Sequence, residues 1–260
     1  MSGELLFYRS DDGNIATGRL KSDGIFTPLA TGRLGRGRTD IVAVGRELLF
    51  YRAGSGVIAT GRLSSDGIFT QLADGRLGDS WTHIVALGRE LFFYRSDSGV
   101  IATGRLSNEG IFTQLASGRL NADWTDIVAL GQELLFYNSE TGGIATGRID
   151  TNGIFTGLAE GRLNVNWDFI VAIGRELLFY RFETGEIATG RISTNGIFTG
   201  LAEGLLNEQW SHIVALDRDL LFYRFDLGAI ATGRIDTNGI FKGFADGQLA
   251  VSWGIITGVV

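Results

Sequence analysis

The same phrase of 43 residues is spelled six times along this chain. Glu4, Glu47, Glu90, Glu133 and Glu176 each open an ELLFY or ELFFY segment, and Asp219 opens the sixth as DLLFY, every one 43 residues after the last. Six such units account for nearly all of the 260 residues. A fixed period in the forties belongs to stacked or radial arrays of one supersecondary unit. Because the period never breaks, residues 1–260 read as one domain, with units starting at 4, 47, 90, 133, 176 and 219.

Within a unit, strand signals alternate with turn signals. In Trp81 to Leu120, the β-branched run 82–87 meets Leu91–Tyr94 across Gly88 and Arg89, a two-residue hairpin link with glycine first. Ser96 to Gly99 turns the chain into Val100–Leu106, and Asn108 to Gly110 turns it into Ile111–Thr113. The last turn reads Asp-Gly in the first two units (Asp23-Gly24, Asp66-Gly67) and Asn-Gly in the last three (Asn152-Gly153, Asn195-Gly196, Asn238-Gly239). No segment keeps a helical apolar period. The expectation is an all-β, six-bladed β-propeller with four antiparallel strands per blade. The chain opens at the second strand of a unit and ends on an unpaired first strand, residues 255–260. Residues 253–260 are therefore expected to complete the last blade by pairing with the N-terminal strand, hiding both open edges.

Composition narrows the function classes. There is no Cys, which removes disulfides and thiolate metal sites. A net charge of −6 gives no basic stripe for nucleic acid, and no apolar run is long enough for a membrane span. The repeat begins within the first few residues. The expectation is a soluble monomer with no signal peptide, cytoplasmic or made recombinantly, with no cofactor and no metal.

Comparing units with one another separates what repeats from what varies. The turn between the second and third strands varies, as does the approach to the first strand. In an up-and-down blade these two connections share a face, and loops on a rigid scaffold are where binding is commonly placed. Trp81, Trp124, Trp167, Trp210 and Trp253 sit at equivalent places in that approach, with Arg38 in the remaining unit. The spacing predicts Trp167 near Phe182 and Trp210 near Phe225. An indole beside a second aromatic, ringed by Asn164, Asn166, Asn207 and Gln209, suits the apolar face and hydroxyls of a sugar. The competing reading makes each indole a wedge between blades. The arginines of the repeated IATGR segment (Arg19, Arg62, Arg105, Arg148, Arg191, Arg234) fall opposite the acid that opens each unit, which predicts cross-strand ion pairs. The repeated tyrosines read as core with satisfied hydroxyls. His83 and His212 occupy equivalent positions without an evident third metal ligand. No catalytic motif interrupts the regularity, so the sequence reads as that of a protein without enzymatic activity.

The grammar LLFYR–IATGRL–GIFT–W–IVALG resembles the tachylectin-type propeller lectins and related repeat propellers that are recently amplified or designed. The resemblance implies binding of N-acetylated or related sugars at repeated sites. The leading expectation is a multivalent, lectin-like protein whose partners are glycans. A symmetric scaffold without a ligand and a protein-interaction platform are the alternatives.

Overall fold

The computed structural model describes residues 3–259. The first blade takes β1 (Gly3–Tyr8), β2 (Asn14–Leu20) and β3 (Phe26–Arg33), and the second takes β4 (Asp40–Val44), β5 (Glu47–Arg52), β6 (Val57–Leu63) and β7 (Phe69–Arg76). The same order repeats through blades three to six, whose first strands are β8 (His83–Leu87), β12 (Asp126–Leu130), β16 (Phe169–Ile173) and β20 (His212–Leu216). The last strand, β24 (Ile255–Val259), pairs antiparallel with β1 from Glu4↔Val259 to Tyr8↔Ile255. Six four-stranded antiparallel sheets result, and the seam blade is built from both ends of the chain. Val260, assigned above to the closing strand, lies outside the described residues, as do Met1 and Ser2. The first strands of consecutive blades neighbour one another around the whole ring, β24 lying between β20 and β4.

The LLFY segment explains the stacking. Leu5, Leu6, Phe7 and Tyr8 are all at most 1% exposed, although successive strand residues point to opposite faces. Both faces of each sheet must therefore be covered, which is why this strand reads as an unbroken apolar run. The core is accordingly divided into six clusters, one per blade junction, such as Leu6, Tyr8, Leu48 and Phe50 between the first two blades.

Two repeated small residues make the junctions possible. The strand bulges between Thr17 and Gly18, and the Phe26 ring lies so close over Gly18 that a Cβ there would sit 2.0 Å from it. Thr17 is buried, and its hydroxyl donates to Gly67 O of the next blade at 2.8 Å. Gly67 has φ +74, the left-handed region that its turn requires. The same bond closes the ring, where Thr232 donates to Gly24 O at 2.9 Å.

The acid–arginine expectation holds and extends further. Glu4 pairs with Arg19 at 2.8 Å, and each equivalent pair forms in the other five blades. The second carboxylate oxygen of Glu4 takes Arg46 from the next blade, also at 2.8 Å. Glu47, Glu133 and Glu176 do the same with Arg89, Arg175 and Arg218. No helix is long and apolar enough to cross a membrane among the described residues.

Candidate functional site

The two variable connections meet on one face and bond to each other. Leu34 N–H donates to Gly13 O at 2.7 Å, and Gly37 N–H donates to Ser10 O at 2.9 Å. Each approach loop is also pinned by a tyrosine. The Tyr137 hydroxyl donates to Asn164 O at 2.8 Å and accepts the Trp167 N–H at 3.3 Å, and all six blades repeat this pair of bonds. The pin fixes where each tryptophan enters its blade. Burial raises the pKa of the tyrosines from Tyr51 to Tyr223, and the bond from the tryptophan N–H opposes that rise.

Trp167, Trp210 and Trp253 are only 6–8% exposed, whereas Trp81 and Trp124 are half-buried. Each indole tilts against the phenylalanine of its LLFY strand, Trp167 lying 5.7 Å from Phe179. The opposite side carries a guanidinium in three blades. Arg181 stands 4.6 Å from the Trp167 ring, Arg95 4.7 Å from Trp81 and Arg9 4.9 Å from Trp253. The Nε atoms of these arginines are buried without an acceptor, as are those of Arg52 and Arg224. The aromatic neighbours expected from the spacing are placed differently. The Phe182 main chain stays near Asp168, but its side chain packs into the cluster that holds Trp210. Phe225 is 43% exposed and joins no core cluster beside Trp210. The start of the variable turn is thus bonded to its own blade, as Ser96 N–H is to Thr82 Oγ1, while its carbonyls take the approach loop of the following one, as Ser96 O does Asp123 N–H.

At four junctions the rim is cut by a groove of common design. The groove at Trp124 has a volume of about 830 Å³, that at Trp167 about 700 Å³, that at Trp210 about 560 Å³ and that at Trp253 about 520 Å³. Their floors are the indole, two phenylalanines, an alanine and a threonine, here Phe179, Ala188, Thr189 and Phe198 beside Trp167. An amide and a carboxylate stand at the edges in three of them: Asn164 with Glu203, Asn207 with Asp246, and Asn121 with Glu160. Gln209 lines a second groove on the other side of Trp210, with Arg224. Asn166 and Gln209 carry positive φ (62° and 65°) in the approach loops. Sequence reasoning missed Asn121 and the arginine covers. Both recur at fixed offsets, the arginine directly after the FY pair, so comparing units at those positions would have found them.

Six-fold regularity does break at the central axis. The first residues of the six inner strands are Asp40, His83, Asp126, Phe169, His212 and Ile255. His83 is flanked around the ring by two aspartates, and its Nε2 lies 2.9 Å from Thr125 O. Burial raises the Asp40 and Asp126 carboxyl pKa values, against hydrogen bonds from Thr39 and Thr125. Burial likewise lowers that of His212. Among the described residues no group of three or more His, Cys, Asp or Glu could hold a metal.

No family model and no curated protein matches this chain. Solved structures match across its whole length at low identity. A Bacteroides fragilis protein named provisionally as a 6-phosphogluconolactonase aligns with TM-score 0.67 and 11% identity, covering 100% of this chain and 98% of its own. The periplasmic gluconolactonase of Pseudomonas aeruginosa gives 0.64 and 14%, with 100% and 99% covered. A chain of a nidogen/laminin complex gives 0.60 and 14%, also with 100% and 99%. At such identities the likeness shows the fold, so the resemblance drawn from the sequence stands for the six-bladed propeller and not for the tachylectin type. The exclusion of enzymatic activity is overturned. Proteins named as lactonases share this fold end to end, and regular blades therefore do not argue against catalysis.

Proposed function

We propose that this protein binds carbohydrate in the grooves along its rim. The observation that carries the reading is the recurrence of one groove at three junctions, with an aromatic floor, an amide at one edge and a carboxylate at the other. Volumes of about 560–830 Å³ accommodate a pyranose. Sugar C–H faces lie against aromatic rings while amides and carboxylates take the hydroxyls, a pairing that suits Trp124, Trp167 and Trp210 with Asn121, Asn164 and Asn207. Trp253 floors a groove of the same design without the amide and carboxylate, and Gln209 lines the second groove beside Trp210, whereas Trp81, Phe182, Phe225 and Asn166 line none of these grooves. Weak sites repeated on one disc gain by avidity on a glycan-bearing surface. A glycan array probed with the intact protein, followed by titration of the hits, tests the reading. Absence of binding to any sugar at millimolar concentration removes it.

The lactonase names among the structural neighbours favour a second reading, hydrolysis of a sugar lactone at the axial ring. Asp40, His83 and Asp126 supply adjacent acid–base groups where the blades differ most. Gluconolactone opening at the buffer rate, unaltered by His83→Ala, excludes it.

A further inference from the structure

The four rim grooves differ in the charges that line them. Those at Trp124 and Trp167 each carry one arginine and one carboxylate, Arg119 with Glu160 and Arg162 with Glu203. The groove at Trp253 is lined by no charged residue. The groove at Trp210 keeps its carboxylate, Asp246, and lacks the arginine, because Leu205 stands where Arg33, Arg76, Arg119 and Arg162 stand in the first four blades. Leu205 is 73% exposed, so core packing does not account for the exchange.

The cations nearby are committed elsewhere. Arg224, in the adjoining groove on the other side of Trp210, donates to Gln209 Oε1 at 2.6 Å and lies 3.5 Å from Asp226. That adjoining groove also adds a carboxylate, Glu208. Arg234 stands 5.5 Å from the Phe244 ring but pairs with Asp219 at 2.7 Å, and Lys242 pairs with Asp236 at 3.5 Å. Among the described residues no ion pair reaches Asp246. The aromatic lining is richer here as well. Trp210, Phe222 and Phe241 are joined by Phe244, which takes the place of a leucine in the other five blades and is half-exposed.

We infer that the groove at Trp210 takes a sugar bearing a protonated amine, its ring against the aromatic lining and its ammonium paired with Asp246. The inference rests on the carbohydrate reading above and names the ligand class of one of its sites. An ammonium entering the groove at Trp124 or Trp167 meets an arginine along with the carboxylate, whereas at Trp210 it meets the carboxylate alone. Aromatic faces attract an ammonium as well as sugar C–H groups, so the added Phe244 ring favours the same ligand. Asn207 remains at the groove edge for a hydroxyl.

The repeats provide the experiment. The intact protein is titrated by calorimetry with the methyl glycosides of a hexosamine, of its N-acetyl derivative and of the parent hexose, with a thermal melt for folding. The amine should bind about fivefold more tightly than either neutral analogue, and the difference should shrink in high salt. Leu205→Arg installs the residue of the first four blades, and Asp246→Asn removes the charge. Each should abolish the preference for the amine with the melt unchanged. Arg162→Leu should add a second amine-preferring site, in the groove at Trp167. If the amine binds no better than its neutral analogues, or if the preference survives either Leu205→Arg or Asp246→Asn, the inference is overturned while the carbohydrate reading stands. If none of the three glycosides binds, both fall.

Discussion

A single phenolic oxygen per blade does more than fill the core. The Tyr137 hydroxyl bridges the Asn164 carbonyl and the Trp167 N–H, both belonging to the next blade's approach loop. Tyr137→Phe leaves those two groups without a partner and should cost about 1–3 kcal/mol, read from urea unfolding. Because burial raises the pKa of this tyrosine and of Tyr51, Tyr94, Tyr180 and Tyr223, the folded state favours the neutral phenol there. That stability is complete below the unfolded value of about 10 and is lost as pH rises through the higher folded value. Stability should therefore fall steeply in the alkaline range. Asp126 follows the same sign at lower pH. Burial lifts its folded pKa, so its stabilising share is complete below the unfolded value of about 3.9 and is lost as pH rises through the higher folded value, and at neutral pH the ionised carboxylate is a liability. Asp126→Asn should raise stability at pH 7 by about 0.5–2 kcal/mol, and the gain should vanish near pH 3.

Among the elements, strands and the bonds inside a blade were legible, and contacts between blades were not. The pairing of Glu4 with Arg19 follows from hairpin register alone, because turn length fixes which residues stand opposite. Arg46 reaching Glu4, or Phe182 packing into the cluster of Trp210, depends on how two sheets are stacked, and no spacing along the chain encodes that offset. The grooves fell between these cases. Their tryptophans stood out by recurrence, as did Asn164 and Asn207, whereas Asn121 and the arginine covers did not, since what a turn residue lies against depends on how it folds onto the neighbouring loop. The ion-pair series also identifies a weak junction. Among the described residues Glu90 pairs only with Arg105, because Gln132 occupies the place of Arg46, Arg89, Arg175 and Arg218. Gln132→Arg should complete the bridge and add about 0.2–1 kcal/mol, with the gain shrinking in high salt.

For the whole molecule, closure is the feature on which the rest depends. Trp253, Ile256 and Val259 are buried in the seam blade and its neighbours, so the last strand supplies core as well as an edge partner. Removing residues 253–260 should cost several kcal/mol, at roughly 1.5–3 kcal/mol per large buried side chain, and far more than shortening an exposed turn such as 194–196. Equal melting temperatures for the two truncations would contradict that role. The pairing of β1 with β24 also fixes how the molecule meets tension. Glu4 lies opposite Val259, so both ends of the chain emerge at the same end of one ladder. A pull applied between them loads its hydrogen bonds one after another, as in a zipper, instead of all together in shear. A ring that resists heat through its buried seam should thus peel open under a small force.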